Sequence, residues 1–176
     1  VTVSKDGKLV ATASADKTVR LNTAADGKAS ATAASLAGHT EAVSAVTFNA
    51  AGTEVASGDA VGAIRVWNSA DGKSLGILQG HTGPVSGLVY DAAGKKLYST
   101  GADGTLRLWA LPQVAPTSFA GHTMGVKSVD LASDATLAVT GGADGIVQII
   151  DPTGAVEAKV LAGQPGPVNA VALSAD

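Results

Sequence analysis

The rarest residues of this chain recur at a fixed step, and that period restricts the fold more than any other property. Gly-His pairs stand at Gly38-His39, Gly80-His81 and Gly121-His122, and Gly163-Gln164 falls where a fourth would be. The steps are 42, 41 and 42 residues. A second marker follows each pair: Ile64-Arg65-Val66-Trp67, then Leu106-Arg107-Leu108-Trp109, then Val147-Gln148-Ile149-Ile150. Val19-Arg20-Leu21-Asn22 is the same marker upstream. All three histidines belong to the first marker and both tryptophans to the second. Self-similarity at a period of about 20–50 residues belongs to stacked repeat architectures.

Each unit reads as four short strands. After His81 the pattern predicts strands at Val85–Tyr90, Lys96–Thr100, Thr105–Trp109 and near Thr117–Ala120, separated by Asp91-Ala92-Ala93-Gly94, Gly101-Ala102-Asp103-Gly104 and a looser Pro-containing stretch. Short apolar runs closed by Asp-Gly pairs, here at 6-7, 71-72, 103-104 and 144-145, are the pattern of antiparallel meanders. No stretch carries a useful amphipathic-helix period, so the class is all-β. A four-stranded sheet of this size cannot cover both of its faces alone. Stacking such sheets around an axis covers them, which is the β-propeller solution. Hydrophobic residues make up 45% of the chain but aromatics only 3%, which suits thin sheets packed face to face. The units are expected at 1–37 (its first strand partial), 38–79, 80–120 and 121–162, with 163–176 as the first strand of a fifth.

These residues resemble the WD-repeat propeller family, and the likeness covers essentially the whole chain. The resemblance implies a buried structural tetrad in each blade: a His that links an Asp to a Ser or Thr and a Trp. By position the third unit is complete, with His81, Ser99, Asp103 and Trp109. The second has His39, Ser57 and Trp67, with Val61 at the Asp position, so His39 is expected to lack a carboxylate partner and its blade to be the weaker one. The fourth has His122, Thr140 and Asp144, with Ile150 in place of Trp. The first has Thr12, Asp16 and Asn22, its His expected upstream of Val1. The Trp-Asp dipeptide that names the family occurs only in altered forms: Trp67-Asn68, Trp109-Ala110 and Ile150-Asp151.

Several chemistries are set aside. The histidines sit one per unit, so three cannot converge on a single metal at about 2 Å, and no metal ligand is expected. A His-Ser-Asp set superficially resembles a hydrolase triad, but its serine lies on an internal strand, and no catalytic residue is expected. Gly141-Gly142-Ala143-Asp144-Gly145 lacks the Gly-Lys-Ser/Thr ending of a phosphate loop, and no cofactor is expected. Arg20, Arg65 and Arg107 recur at one strand position and are read as a solvated face in preference to an anion-binding ring. Net charge is −3, which removes the field that drives nucleic-acid binding. No apolar run is long enough to span a membrane. There is no cysteine, hence no disulfide framework or thiolate site. The compartment stays open: a cytoplasmic setting is the default, and a Cys-free domain suits either side of a bacterial membrane.

The resemblance places partners on the face formed by the Gly-His and turn-Asp loops. The matching positions include Ala42, Ser44, Pro84, Ser86, Lys127 and Asn169, a small and nearly neutral set. Seven or eight blades are usual in the family. Residues 171–176 occupy the same place in the repeat as 1–6, so the remaining blades are expected from a longer chain, the preferred reading, or from a second copy. The function expected is a non-catalytic protein–protein interaction scaffold. The alternative is an accessory propeller of a larger, bacterial multidomain enzyme. The irregular repeats argue against a consensus-designed scaffold.

Overall fold

The computed structural model describes residues 1–26, 28, 35–111, 117–153, 158–161 and 163–174. Among them there is no helix, and the chain forms four four-stranded antiparallel sheets. The first holds β1 (Thr2–Val3), β2 (Leu9–Ala13), β3 (Thr18–Thr23) and β4 (Ser35–Ala37). The second holds β5 (Val43–Phe48), β6 (Glu54–Asp59), β7 (Ile64–Asn68) and β8 (Ser74–Leu78). The third holds β9 (Val85–Tyr90), β10 (Lys96–Gly101), β11 (Leu106–Ala110) and β12 (Thr117–Phe119). The fourth holds β13 (Val126–Leu131), β14 (Ala138–Gly142), β15 (Val147–Ile150) and β16 (Lys159–Leu161). Strands follow one another in sequence order within every sheet, the plain meander of a propeller blade. Innermost strands β1, β5, β9 and β13 lie side by side, so the blades stack in chain order.

The period-2 alternation of strand side chains decides which blade face meets which neighbour. On β6, Val55 and Ser57 turn toward blade 1 and Ala56 toward blade 3; on β10, Leu97 and Ser99 turn toward blade 2 and Tyr98 toward blade 4. Three buried clusters result. Ala11, Val19, Leu21 and Leu36 of blade 1 pack with Val43, Phe48, Val55 and Trp67 of blade 2. Ile64, Val66 and Leu78 of blade 2 pack with Val85, Tyr90, Leu97 and Trp109 of blade 3. Tyr98 and Leu106 of blade 3 pack with Ala138 and Ile150 of blade 4. Each third-strand aromatic, or the Ile150 that stands for it, therefore closes the contact with the preceding blade. Small residues let the sheets approach: a Cβ at Gly58 would sit 2.5 Å from Val85.

Polar ties run between blades as well. The Ser44 hydroxyl donates to the Val85 carbonyl at 2.6 Å, and that of Ser86 to the Val126 carbonyl. Beyond blade 4, residues 163–174 contain no strand, unlike the strand expected near Val168–Leu173. A ladder needs a second strand, and this segment only lies along blade 4. Val168 N–H donates to the Gly142 carbonyl at 2.9 Å, and Leu173 N–H donates to Asp130 at 2.8 Å. The first of these matches the bond from Val43 N–H to the Ser14 carbonyl that joins blades 1 and 2.

Candidate functional site: the buried histidine fasteners and the face above them

In blade 3 four side chains form one chain of hydrogen bonds. The Trp109 indole N–H donates to Ser99 Oγ at 2.8 Å. Ser99 Oγ lies 2.8 Å from His81 Nε2, and His81 Nδ1 lies 2.9 Å from Asp103 Oδ2. Since the carboxylate can only accept, Nδ1–H donates to Asp103, and in a neutral imidazole Nε2 then accepts from the Ser99 hydroxyl. A neutral, Nδ1-protonated imidazole satisfies every member. In blade 4 His122 lies 3.0 Å from Asp144 and 2.9 Å from Thr140 Oγ1. Ile150 supplies bulk there without a donor.

Asp103 also holds its own turn and the loop above it. Its carboxylate accepts from the Thr105 N–H and hydroxyl and from the Thr82 N–H at 3.1 Å. Asp144 likewise accepts from Ile146 N–H and, at 2.8 Å, from Thr123 N–H. The tight turn needs a left-handed fourth residue, which Gly104 and Gly145 supply at φ 76° and 77°. Blade 1 puts Lys17 there, at φ 70°. The Asp16 of that turn is exposed, and Thr18, Ser14 and the Arg20 guanidinium hold its carboxyl down at about 2. Thr12 is half-buried, without a histidine among residues 1–37.

Blade 2 departs from the expectation that His39 lacks a carboxylate. Asp59 supplies one: His39 Nδ1 lies 2.9 Å from Asp59 Oδ2, and Nε2 lies 2.7 Å from Ser57 Oγ, which accepts the Trp67 indole N–H at 2.8 Å. The reason is geometric. Asp59 occupies the repeat position of Gly101 and Gly142, the last residue of the second strand. A Cβ added at Gly101 would lie 2.5 Å from His81 Nδ1, so a side chain at that position points at the imidazole. Asp59 also caps the turn, accepting from Val61 N–H at 3.1 Å and Ala63 N–H at 2.9 Å. Val61, freed from the task, is 55% exposed. The signal is present in the sequence: a carboxylate appears where the third and fourth units have glycine and the first has Ser14, two residues before the position at which it is missing.

Of the three strand arginines, Arg65 and Arg107 are not on a solvated face, whereas Arg20 is exposed. Arg65 stands opposite Ser57 in the ladder, hence on the buried face, and stacks on Trp67 with its guanidinium carbon 5.7 Å from the ring centroid. Arg107 is 17% exposed and 3.7 Å from Asp103. Arg20, 60% exposed, pairs with Asp16 at 3.0 Å. The glycine before each histidine leaves room for these groups. A Cβ at Gly80 would meet Arg107 Nη1 at 2.9 Å and the Trp109 ring at 3.1 Å.

The expected partner-facing positions lie apart from this interior. Ser44, Pro84, Ser86, Lys127 and Asn169 are exposed and Ala42 is half-buried. The hydroxyls of Ser44 and Ser86 are already engaged between blades, which leaves their backbones as the available surface. Among the described residues no group of three His, Cys, Asp or Glu could hold a metal ion.

Burial pushes the pKa of His39 and of His81 below the ordinary 6.5, outweighing the opposite pull of Asp59 and Asp103. For Asp144 burial favours the neutral acid, but bonds from His122 and from the Ile146 and Thr123 N–H groups prevail and hold it at about 2. Asp103 is likewise lowered against burial by Thr105, His81 and Thr82. The folded state thus prefers neutral imidazoles, and unfolding takes up protons below pH 6.5. Stability from these two sites is complete above that value and is lost as the pH falls toward their lowered folded values. Each such proton contributes a slope of about 1.4 kcal/mol per pH unit. The aspartates add a second loss below the ordinary 3.8. Thermal midpoints followed by circular dichroism should be level from pH 8 to 7 and fall below pH 6.5. A level midpoint down to pH 4.5 would contradict the neutral assignment.

Four meander blades stacked in chain order, three of them fastened by buried histidines, define a β-propeller repeat protein. The family model described as WD domain, G-beta repeat matches residues 1–21, 31–68, 72–110 and 114–151, and the chain belongs to that family. The matched segment 31–68 runs from β4 of one sheet to β7 of the next, so the second, third and fourth matched repeats each bridge two blades and link them covalently. No curated protein matches the chain. WD repeats generally mediate protein–protein interaction.

Proposed function

We propose that the chain is a non-catalytic interaction scaffold, a rigid surface presented to partner proteins or to neighbouring domains. The observation that carries this reading is the state of its Asp-His-Ser groups. Asp-His-Ser sets of the connectivity used by serine hydrolases stand in blades 2 and 3, yet the His side chains are fully buried and Ser57 and Ser99 are fully buried too. Each serine already accepts an indole N–H and donates to its histidine, so its proton and one of its two lone pairs are spent on the blade. No substrate carbonyl can reach such a hydroxyl. A net charge of −3 favours proteins over nucleic acids as partners.

Two measurements test the reading together. A fluorophosphonate probe should leave Ser57 and Ser99 unlabelled in the folded chain, and labelling of either would overturn the non-catalytic assignment. Photo-crosslinkers at positions 84 and 127 of the full chain should capture protein partners, and Lys127→Glu should reduce their yield. Capture that ignores every substitution on the Gly-His face would refute the placement of the surface.

A further inference from the structure

The outer strand of blade 2 differs from those of the other blades. β8 is five residues long, whereas β4, β12 and β16 have three each. Its sequence, Ser-Leu-Gly-Ile-Leu, holds no charge, and Leu75 and Ile77 are 51% and 43% exposed. β8 pairs with β7 alone, so alternate backbone N–H and C=O groups along it turn outward. Short length and charged side chains are the common protection of such an edge against pairing. β8 has neither.

The same ladder opens a cleft beside this edge. Val66 pairs with Gly76 and Trp67 with Ser74, so Leu75 is an extra, bulged residue. Bulges re-aim side chains, and Leu75 stands at a cleft of about 250 Å³ between blades 2 and 3, lined also by Val66, Leu78 and Leu111. The space exists because Gly76 has no side chain to lay over Val66. Blades 3 and 4 set Thr117 and Lys159 opposite Leu108 and Ile149. Lys95, in the turn between β9 and β10, lines the cleft as well. That turn lies at the end of the blades opposite the Gly-His face.

Two features state what fits. A strand laid against β8 sends successive side chains to opposite faces. One set runs beside Ile77, which shares a face with its ladder partner Arg65, and the other runs over the cleft. Ile77 and the cleft are both apolar, so the added strand carries consecutive apolar residues. Charge marks its end. Lys95 is exposed and makes no ion pair among the described residues. Glu54, on the same cleft, already accepts from the Tyr90 hydroxyl at 3.5 Å. The ammonium is therefore the unmatched charge. Leu78, buried in the contact with blade 3, fixes the edge before anything binds, which lowers the ordering cost of binding.

We propose that β8 takes an extended segment of a protein partner as a fifth strand of blade 2, a run of apolar residues closed by a carboxylate at Lys95. Main-chain hydrogen bonds supply the pairing, and the cleft and Lys95 supply the selection. This surface is separate from the Gly-His face, so either can fail alone.

The probe is the blocked peptide acetyl-Thr-Val-Phe-Val-Asp-amide, titrated into the full chain while amide resonances are followed by NMR. The amides of residues 75–78 should shift saturably, while those of β12 and of Thr82 on the Gly-His face should stay. The same peptide N-methylated at alternate residues keeps its side chains, loses the donors of one edge, and should not bind. Gly76→Thr, which copies Thr117, and Ile77→Lys should each weaken binding at least about threefold. Replacing the peptide's Asp by Asn should cost about threefold, and Lys95→Gln should erase that difference. Unmoved amides at 75–78, equal shifts in β12, or undiminished binding of the methylated peptide would overturn the strand site. An Asp-to-Asn difference that persists in Lys95→Gln would overturn its carboxylate. A chain that ignores the peptide yet captures partners at positions 84 and 127 would lose this site and keep the scaffold reading.

Discussion

Trp109→Ala should lower stability by about 4 kcal/mol, in the range found for truncating buried tryptophans, and with it the melting temperature by roughly 10 °C. The indole is 2% exposed and fills the contact between blades 2 and 3 beside Leu97, Val85 and Ile64. Truncation opens a cavity there. It also strips Ser99 of the donor that orients its hydroxyl toward His81. The two losses can be separated. Trp109→Phe keeps much of the volume and drops the N–H, and should cost about 1–2 kcal/mol. Blade 4 shows that the donor is dispensable: His122 and Thr140 meet at 2.9 Å with Ile150 in the aromatic position. Differential scanning calorimetry of the three proteins decides. A melting temperature within 2 °C of wild type for Trp109→Ala would mean that the blade contact does not depend on the indole.

How far the sequence carries can be judged on blade 3. The strands expected at 85–90, 96–100, 105–109 and near 117–120 appear at Val85–Tyr90, Lys96–Gly101, Leu106–Ala110 and Thr117–Phe119. Gly and Asp punctuate the chain so tightly there that few other meanders fit, and β-turn chemistry is local. What stayed hidden is three-dimensional. Arg65 and Arg107 looked like a solvated face, though each stands two residues before its tryptophan and so shares the buried side of the strand. A long stem and a neighbouring glycine make that burial tolerable, which no local rule reveals. At 168–173 the repeat match specifies where the backbone runs, and a ladder there requires a partner strand.

That pair of positions also carries the sharpest test of how the blades are fastened. Asp59→Gly should cost about 3 kcal/mol, because it leaves His39 Nδ1 and two turn N–H groups without an acceptor in a buried setting. For a chain of this size that amounts to about 6–12 °C in melting temperature. Val61→Ala, altering an exposed side chain, should move it by about 2 °C or less. The double variant Asp59→Gly with Val61→Asp turns Ser57-Gly58-Asp59-Ala60-Val61-Gly62 into the pattern of Thr140-Gly141-Gly142-Ala143-Asp144-Gly145. The new carboxylate would then reach His39 from the turn, as Asp144 reaches His122 at 3.0 Å, and would cap Thr40 N–H as well. Most of the lost stability should return, giving a strongly non-additive cycle between two positions that exchange one role. If the double variant is no more stable than Asp59→Gly alone, then the strand and turn positions are not interchangeable routes to the same imidazole. In that case the 2.9 Å contact of Asp59 with His39 cannot be replaced by a carboxylate reaching from the turn.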